Sequence, residues 1–406
     1  MFKPISISFA PNFEKDDTVL AIKLLLGMVS HSKLNSSMTI FQKEFSDYFG
    51  GRHVSLFSSG RAGLCYALKS LNLEHEDEVI IQAFTCVAVP DAVLWAGLKP
   101  IFADIDKQSY NFDLKDLKKK ISKKTRVIIV QHTFGIPAQM DEIKAIAKKF
   151  DLYLIEDCAH SLGGMYKKEK FGTIGDLAVF SFGRDKMISC VYGGAVITNS
   201  NKIKNSLLQQ EKTLVMPPIS FIRQQLYYLI IYVISLPFYN IFLGKLFLWF
   251  AGKFELLSRA VYKKELYGER PSFLAYHLSP YFAPLLLQQF RKLSRFNKHR
   301  KNLSRFYIEN LKLDLEPLPY IRIPVKVGDK NKVLLLAKKK GIHLGNWYRG
   351  PIDPPESNNA VFDYKKCITA EHLGEHTINL PTHINTALSD ALKIVNFLKE
   401  IKYEKS

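Results

Sequence analysis

Between residues 50 and 200 short apolar runs alternate with helical patterns, and no other feature limits the fold of this chain so strongly. The runs are "EVIIQAF" (78–84), "KPIFADI" (99–105), "RVIIVQH" (126–132), "LYLIEDC" (152–158), "LAVFSF" (177–182) and "GAVIT" (194–198). They are apolar at successive rather than alternate positions, the pattern of parallel strands covered by helices on both faces. Between them, "GRAGLCYALKSL" (60–71) and "MDEIKAIAKKF" (140–150) read as helices, the second with Met140, Ile143, Ile146 and Ala147 on one face. The alternation predicts an α/β fold with a mostly parallel sheet.

Beyond residue 210 the pattern changes. From Gln224 to Gly244, 21 residues carry no charge, and "KLFLWFAGK" follows. A helical stretch at 284–311 then leads into a mixed C-terminal region. Three units are expected: a large α/β domain over 1–210, a hydrophobic insert over 211–272 and a small domain over 273–406. At 406 residues the chain exceeds what one core ordinarily covers.

Charge narrows the partners. With 57 Lys+Arg against 38 Asp+Glu the net charge is +19, which favours anionic molecules or an anionic membrane face. No nucleic-acid-binding motif accompanies the charge, so nucleic acid is not expected. The five cysteines are scattered without metal-ligand spacing, so no metal site is expected. Their pattern fits a reducing cytoplasm, and "MFKPISISFAPNFEKDD" lacks the apolar core of an export signal.

The chemistry gathers at strand ends. "LYLIEDCAHSLGG" puts Glu156 and Asp157 at the end of an apolar strand, and "LAVFSFGRDK" ends another just before Lys186. Ligands of open α/β sheets sit at such carboxyl ends. "LFSSGRAGL" sets Ser58, Ser59 and Gly60 at a helix start, where free N–H groups and the helix dipole favour a phosphate. A lysine, an acid and a phosphate cradle are the parts that pyridoxal 5'-phosphate (PLP) requires: an amine for a Schiff base, a carboxylate for the pyridine nitrogen and an anion site.

The chain resembles the DegT/DnrJ/StrS group of sugar aminotransferases, which are fold type I PLP enzymes with a large three-layer domain and a smaller α+β domain. The likeness runs from "FQKEFSDYFGGRHVSLFSSGRAGL" through "DEVIIQAFTCVAVPDAVLWAGLKPIFADID" and "HTFGIPAQMDEIKAIAKKF" to "LIEDCAHSLGG", "GDLAVFSFGRDK" and "GGAVIT". It implies Lys186 as the Schiff-base lysine and general base, and Asp157 as the partner of the pyridine nitrogen. It further implies Ala159 against one ring face, His160 near the ring hydroxyl, and Ser59, Gly60, Arg61 and Ser181 about the phosphate. The reaction implied is amination of a keto sugar, nucleotide-linked or lipid-linked, with glutamate as amino donor, in a homodimer.

Several positions depart from the family. Cys86 stands where an aromatic ordinarily stacks on the ring, so stacking must come from elsewhere, with Phe84 as one candidate. "LAYHLS" offers Ala275 and His277 where an Asn and a basic residue are usual, and Arg61 replaces a usual Thr. Two other readings stay open: a degenerate, membrane-bound scaffold, and a sugar dehydratase on the same fold, in which a histidine typically replaces the lysine.

Pro237 divides the insert into arms of about 11 to 13 residues, each short of the roughly 20 needed to span a bilayer. The lysine before the insert and the small domain after it must also meet on one side. A hairpin dipping into one leaflet through 221–254 is expected, with Arg223, Lys245, Lys253, Arg259, Lys263 and Lys264 facing anionic headgroups. That makes the protein peripheral on the inner face of the cytoplasmic membrane. The other reading of the insert is an oligomer interface or a lid.

Overall fold

The structure is a computed structural model and describes residues 4–9, 11–357, 362–364 and 366–401. Seven strands form the central sheet: β1 (His53–Phe57), β2 (Glu78–Gln82), β3 (Lys99–Ala103), β4 (Thr125–Gln131), β5 (Tyr153–Asp157), β6 (Leu177–Ser181) and β7 (Gly194–Thr198). Their spatial order is β1-β7-β6-β5-β4-β2-β3. Strand β7 runs antiparallel to both neighbours, β1 and β6, and the remaining pairings are parallel.

Two apolar layers explain why the runs do not alternate. Val79, Ile81, Val127, Ile129 and Ile155 point into the larger core, while Ile80, Ile128, Val130 and Leu154 point the other way. There they meet Met140, Ile143, Ile146 and Ala147 on the inner face of the helix Met140–Lys149. Side chains of a strand alternate faces, so covering both faces demands apolar residues at every position. Each such side chain gains about 1.5–3 kcal/mol on burial.

Beyond the insert an antiparallel pair forms, Arg322–Lys326 with Thr377–Pro381. Ile5–Ser6, near the start of the chain, pairs in parallel with Ile342–His343, beyond the insert.

The insert leaves and rejoins the body at one point, where Val215 N–H donates to Ala275 O (2.9 Å) and His277 N–H to Val215 O (3.0 Å). Between them stands a helical hairpin. Ile219–Ser235 is followed by a 3₁₀ turn, Leu236–Ile241, that contains Pro237, and then by Leu243–Lys253. A Cβ on Gly244 would lie 2.1 Å from Ser235 O, so only glycine lets the second helix start so close to the end of the first. The stretch Ile219–Ile241 has the length and apolar composition of a membrane span, yet 44% of its window is buried. Ile222, Leu226, Tyr228 and Leu229 are buried, and the helix packs against Lys15–Leu25. Val233, Ile234, Phe238, Phe242, Leu243, Phe247, Trp249, Phe250 and Phe254 remain exposed.

Candidate active site

The carboxyl ends of the parallel strands open into one cavity of about 770 Å³. Ser59, Gly60, Arg61, Cys86, Asp157, Ala159, His160, Ser181 and Lys186 all line it. Residues spread over more than a hundred positions meet there because β1, β2, β5 and β6 end at the same edge of the sheet.

The two neighbouring acids of β5 have opposite surroundings. The Glu156 carboxylate accepts from Gly172 N–H (2.9 Å), Ile174 N–H (2.7 Å) and Gly175 N–H (2.8 Å), and lies 3.3 Å from His132 Nε2. Burial alone would raise its pKa, but the His132 and backbone bonds outweigh that and hold it below the usual carboxylate range. Asp157 points into the cavity and accepts from Ala159 N–H at 3.0 Å. Desolvation raises its pKa against the pull of that bond and of Lys186. Glu156 is therefore a structural tie, while Asp157 is a buried carboxylate suited to an N–H⁺ donor brought in by a ligand.

The phosphate cradle is local chain geometry. Ser59 caps the helix Gly60–Lys69, its Oγ accepting from Ala62 N–H at 3.2 Å. A Cβ on Gly60 would stand 2.7 Å from Ser181 Cβ, so glycine alone allows the helix N-terminus to approach the end of β6 this closely. Two hydroxyls and the free N–H groups of the first turn result, the makings of an anion site. Arg61 reaches sideways to an ion pair with buried Glu265 and donates to Ala260 O at 2.7 Å.

Lys186 lies on the loop after β6. Asn12 Nδ2 donates to its carbonyl, and fully buried Arg300 donates to Met187 O at 2.6 Å and to Asn12 Oδ1 at 2.7 Å. Desolvation lowers the Lys186 pKa, with Cys86 and Asp157 opposing it. A neutral amine is the form able to attack a carbonyl or take a proton. Burial, aided by Lys186 and Arg322, also holds His160 well below the usual imidazole range and therefore neutral.

Trp347 brings an aromatic ring to the cavity wall. Its ring stacks on His160 (centroids 5.6 Å, 12° between planes), Lys186 Nζ lies 5.4 Å from its centroid, and the Arg322 guanidinium lies 3.3 Å from it. Phe84 does not take this role: it is buried against Tyr110, Phe134 and Tyr348 and is absent from the cavity wall. Tyr348 Oη lies 3.2 Å from His160 Nε2, and Arg322 bridges to Asp185 at 3.4 Å. Sequence reasoning missed Trp347, Tyr348 and Arg322, and only the aromatic pair in "GNWYRGP" marked the place. Ala275 and His277 lie at the foot of the insert, His277 bridged to Phe57, and neither lines the cavity.

The sheet, with its single reversed strand, has the fold of the type I PLP-transferases. Residues 27–216 match the model of the DegT/DnrJ/EryC1/StrS aminotransferase family. An uncharacterized protein of Methanocaldococcus jannaschii is 40% identical over 167 residues, 41% of this chain and 43% of that protein. GDP-perosamine synthase of Vibrio cholerae is 34% identical over 169 residues, 42% of this chain and 46% of that enzyme. The matches thus span less than half the length of these curated relatives. The structure of Helicobacter pylori PseC, an aminotransferase involved in the biosynthesis of pseudoaminic acid, superposes with a TM-score of 0.75 at 20% identity, covering 98% of this chain and 99% of that one.

Proposed function

We propose that the protein is a PLP-dependent aminotransferase that passes an amino group from a donor such as glutamate to a keto sugar in glycan or amino-sugar biosynthesis. The observation that carries this reading is the meeting of Lys186, Asp157 and the Ser59–Gly60 helix start in one cavity. The residues fit the cofactor: Asp157 is a desolvated acceptor awaiting a cation, and the cradle at Gly60 is one that a Cβ would fill.

When bound, PLP supplies an electron-poor ring that spreads the negative charge developing at the amino-bearing carbon. The Asp157 carboxylate would accept the ring N–H and keep that proton in place. The Ser59 and Ser181 hydroxyls with the Gly60 and Arg61 N–H groups would hold the phosphate. Lys186 Nζ, held toward neutrality by burial, takes the proton from the donor's α-carbon and redelivers it within reach of its own tether. Trp347 and neutral His160 exclude water over the same space. The intact lysine and acid speak against both the degenerate scaffold and the dehydratase. Titrating the PLP-loaded protein with glutamate tests the assignment: loss of the lysine-dependent visible band with release of 2-oxoglutarate is expected, and a band unmoved by millimolar glutamate overturns it.

Two further parts of the reading concern assembly. A homodimer follows from the family, whose sites form between subunits, and light scattering at twice the chain mass checks it. The insert is read as the attachment to the anionic inner face of the cytoplasmic membrane. Supporting this, Lys245 of the insert shares an open groove of about 680 Å³ with Lys338 and Lys339 of the small domain, beside the exposed aromatics. Each such cation near an anionic surface contributes about 1 kcal/mol. Flotation with phosphatidylserine vesicles is expected for the native chain and lost on replacing Phe247, Trp249 and Phe250 by serine; equal flotation of that variant contradicts the attachment.

A further inference from the structure

The insert is also a wall of the active site. Tyr228 and Tyr232 of Ile219–Ser235, and Arg259, Ala260 and Val261 of the returning segment, line the same cavity as Lys186. Two staples fix them there. Arg184, two residues before the lysine, donates to Ser258 Oγ and lies 4.3 Å over the Tyr228 ring, and Ser258 Oγ in turn donates to Gln225 Oε1 at 2.5 Å. Arg61 at the cradle holds Ala260 O.

Three arginines, Arg61, Arg184 and Arg259, line this end of the cavity. Arg61 is neutralised by Glu265, and Asp185 and Asp353, on other parts of the wall, are each paired to an arginine of their own. Arg184 forms no ion pair, and Arg259 no ion pair or hydrogen bond, among the described residues. The Tyr192 hydroxyl, on a buried side chain lining the same cavity, is without a hydrogen-bond partner among those residues. Burial pushes its pKa up, and the charges of Arg61, Glu265 and Arg184 act on it, so these groups share one neighbourhood. A buried hydroxyl left unpaired costs stability unless a ligand satisfies it. Two arginines and an orphan donor together describe a seat for a phosphoryl group.

The part of the wall that the insert contributes is largely apolar. None of the insert residues lining the cavity is an amide or a carboxylate; they are tyrosine, alanine and valine besides the arginine. The helix that bears Tyr228 and Tyr232 exposes Val233 and Ile234 on its outside and runs into exposed Phe238. An acceptor whose sugar lies at Lys186 and whose diphosphate lies at Arg184 and Arg259 has its carrier beside the insert, whose exposed side chains here are apolar. We infer that the acceptor is a sugar carried on a lipid diphosphate rather than on a nucleoside diphosphate, with Arg259 and Arg184 as its diphosphate-recognising residues. This rests on the aminotransferase reading of the cavity.

The test is calorimetric titration of the PLP-loaded protein with farnesyl diphosphate, UDP and farnesol, each below its aggregation concentration. Farnesyl diphosphate is expected to bind at least about 10-fold tighter than either of the others. Arg259→Gln is expected to weaken it by about 10-fold, the effect of one charge-assisted hydrogen bond. UDP binding as tightly as farnesyl diphosphate overturns the lipid carrier, and farnesol binding as tightly shows apolar adhesion without a diphosphate seat. Unchanged farnesyl diphosphate affinity in Arg259→Gln, or a raised KM for glutamate in its place, removes the residue from acceptor recognition. The glutamate half-reaction of the wild type, followed on the same sample, reports separately on the parent reading: its failure with farnesyl diphosphate still bound sinks the aminotransferase, and the converse sinks only the lipid acceptor.

Discussion

Replacing Gly60 by alanine attacks the cofactor cradle with a single methyl group. The added carbon would stand 2.7 Å from Ser181 Cβ, 3.0 Å from Ser181 Oγ and 3.2 Å from Ser181 Cα, backbone included. Restoring ordinary contact near 3.5 Å requires the helix start and the end of β6 to part by roughly 0.8 Å, with a strain of about 1–3 kcal/mol. A hydrogen bond of about 2.9 Å from the helix N-terminus to a phosphate oxygen then stretches to nearly 3.7 Å, beyond useful range. Losing one such charged bond removes about 1.5–3 kcal/mol, or about 10- to 100-fold in PLP affinity. Gly252→Ala, in the exposed insert helix where a Cβ meets nothing within 4 Å, is the control and leaves PLP affinity unchanged. The assay is spectrophotometric titration of apoprotein with PLP alongside thermal melting. A Gly60→Ala protein that melts like the control and binds PLP as tightly as wild type refutes the cradle.

Arg300→Ala leaves three oxygen acceptors, Asn297 Oδ1, Asn12 Oδ1 and Met187 O, without their donor, and is expected to cost about 3 kcal/mol or more in chemical denaturation while loosening the lysine loop. Trp347→Ala admits water to Lys186, so the lowered lysine pKa returns toward its usual range; the acid limb of the PLP-binding rate should move to higher pH, and an unmoved limb contradicts the cover role. His383, pushed down to about 3 by burial, stays neutral in the fold while its unfolded counterpart charges below about 6.5. The unfolded state then binds the extra proton, so stability falls with pH across that window by up to about 1.4 kcal/mol per unit. Melting at pH 5.5 and 7.5 checks this, and replacing His383 by asparagine should flatten the slope.

Strands β2 to β7 were legible because two covered faces write an unbroken apolar run. Their order was not, since a run such as "GAVIT" carries no direction, and the reversal of β7 is decided by neighbours far along the chain. His53–Phe57 escaped as a strand because its buried Ser55 interrupts the run. At the site, Asp157 and Lys186 could be read because a strand end precedes each. Trp347 and Arg322 could not: they stand more than a hundred residues beyond Lys186, and no local periodicity links them to β5 or β6. Phe84 illustrates the opposite error, an aromatic close in sequence to Cys86 that the fold turns into the core. Pro237 announced the break in the insert, whereas nothing in the insert told which of its residues would face the lysine.

Lys186 is proposed as the residue that holds the cofactor, and a single chemical trapping experiment tests that directly. Reduction of the PLP-loaded protein with borohydride, proteolysis and mass spectrometry would locate the covalent link. The prediction is one phosphopyridoxyl group, on the peptide containing Lys186 and absent from Lys186→Ala; a group on another lysine, or none on a protein that retains bound PLP, would contradict it.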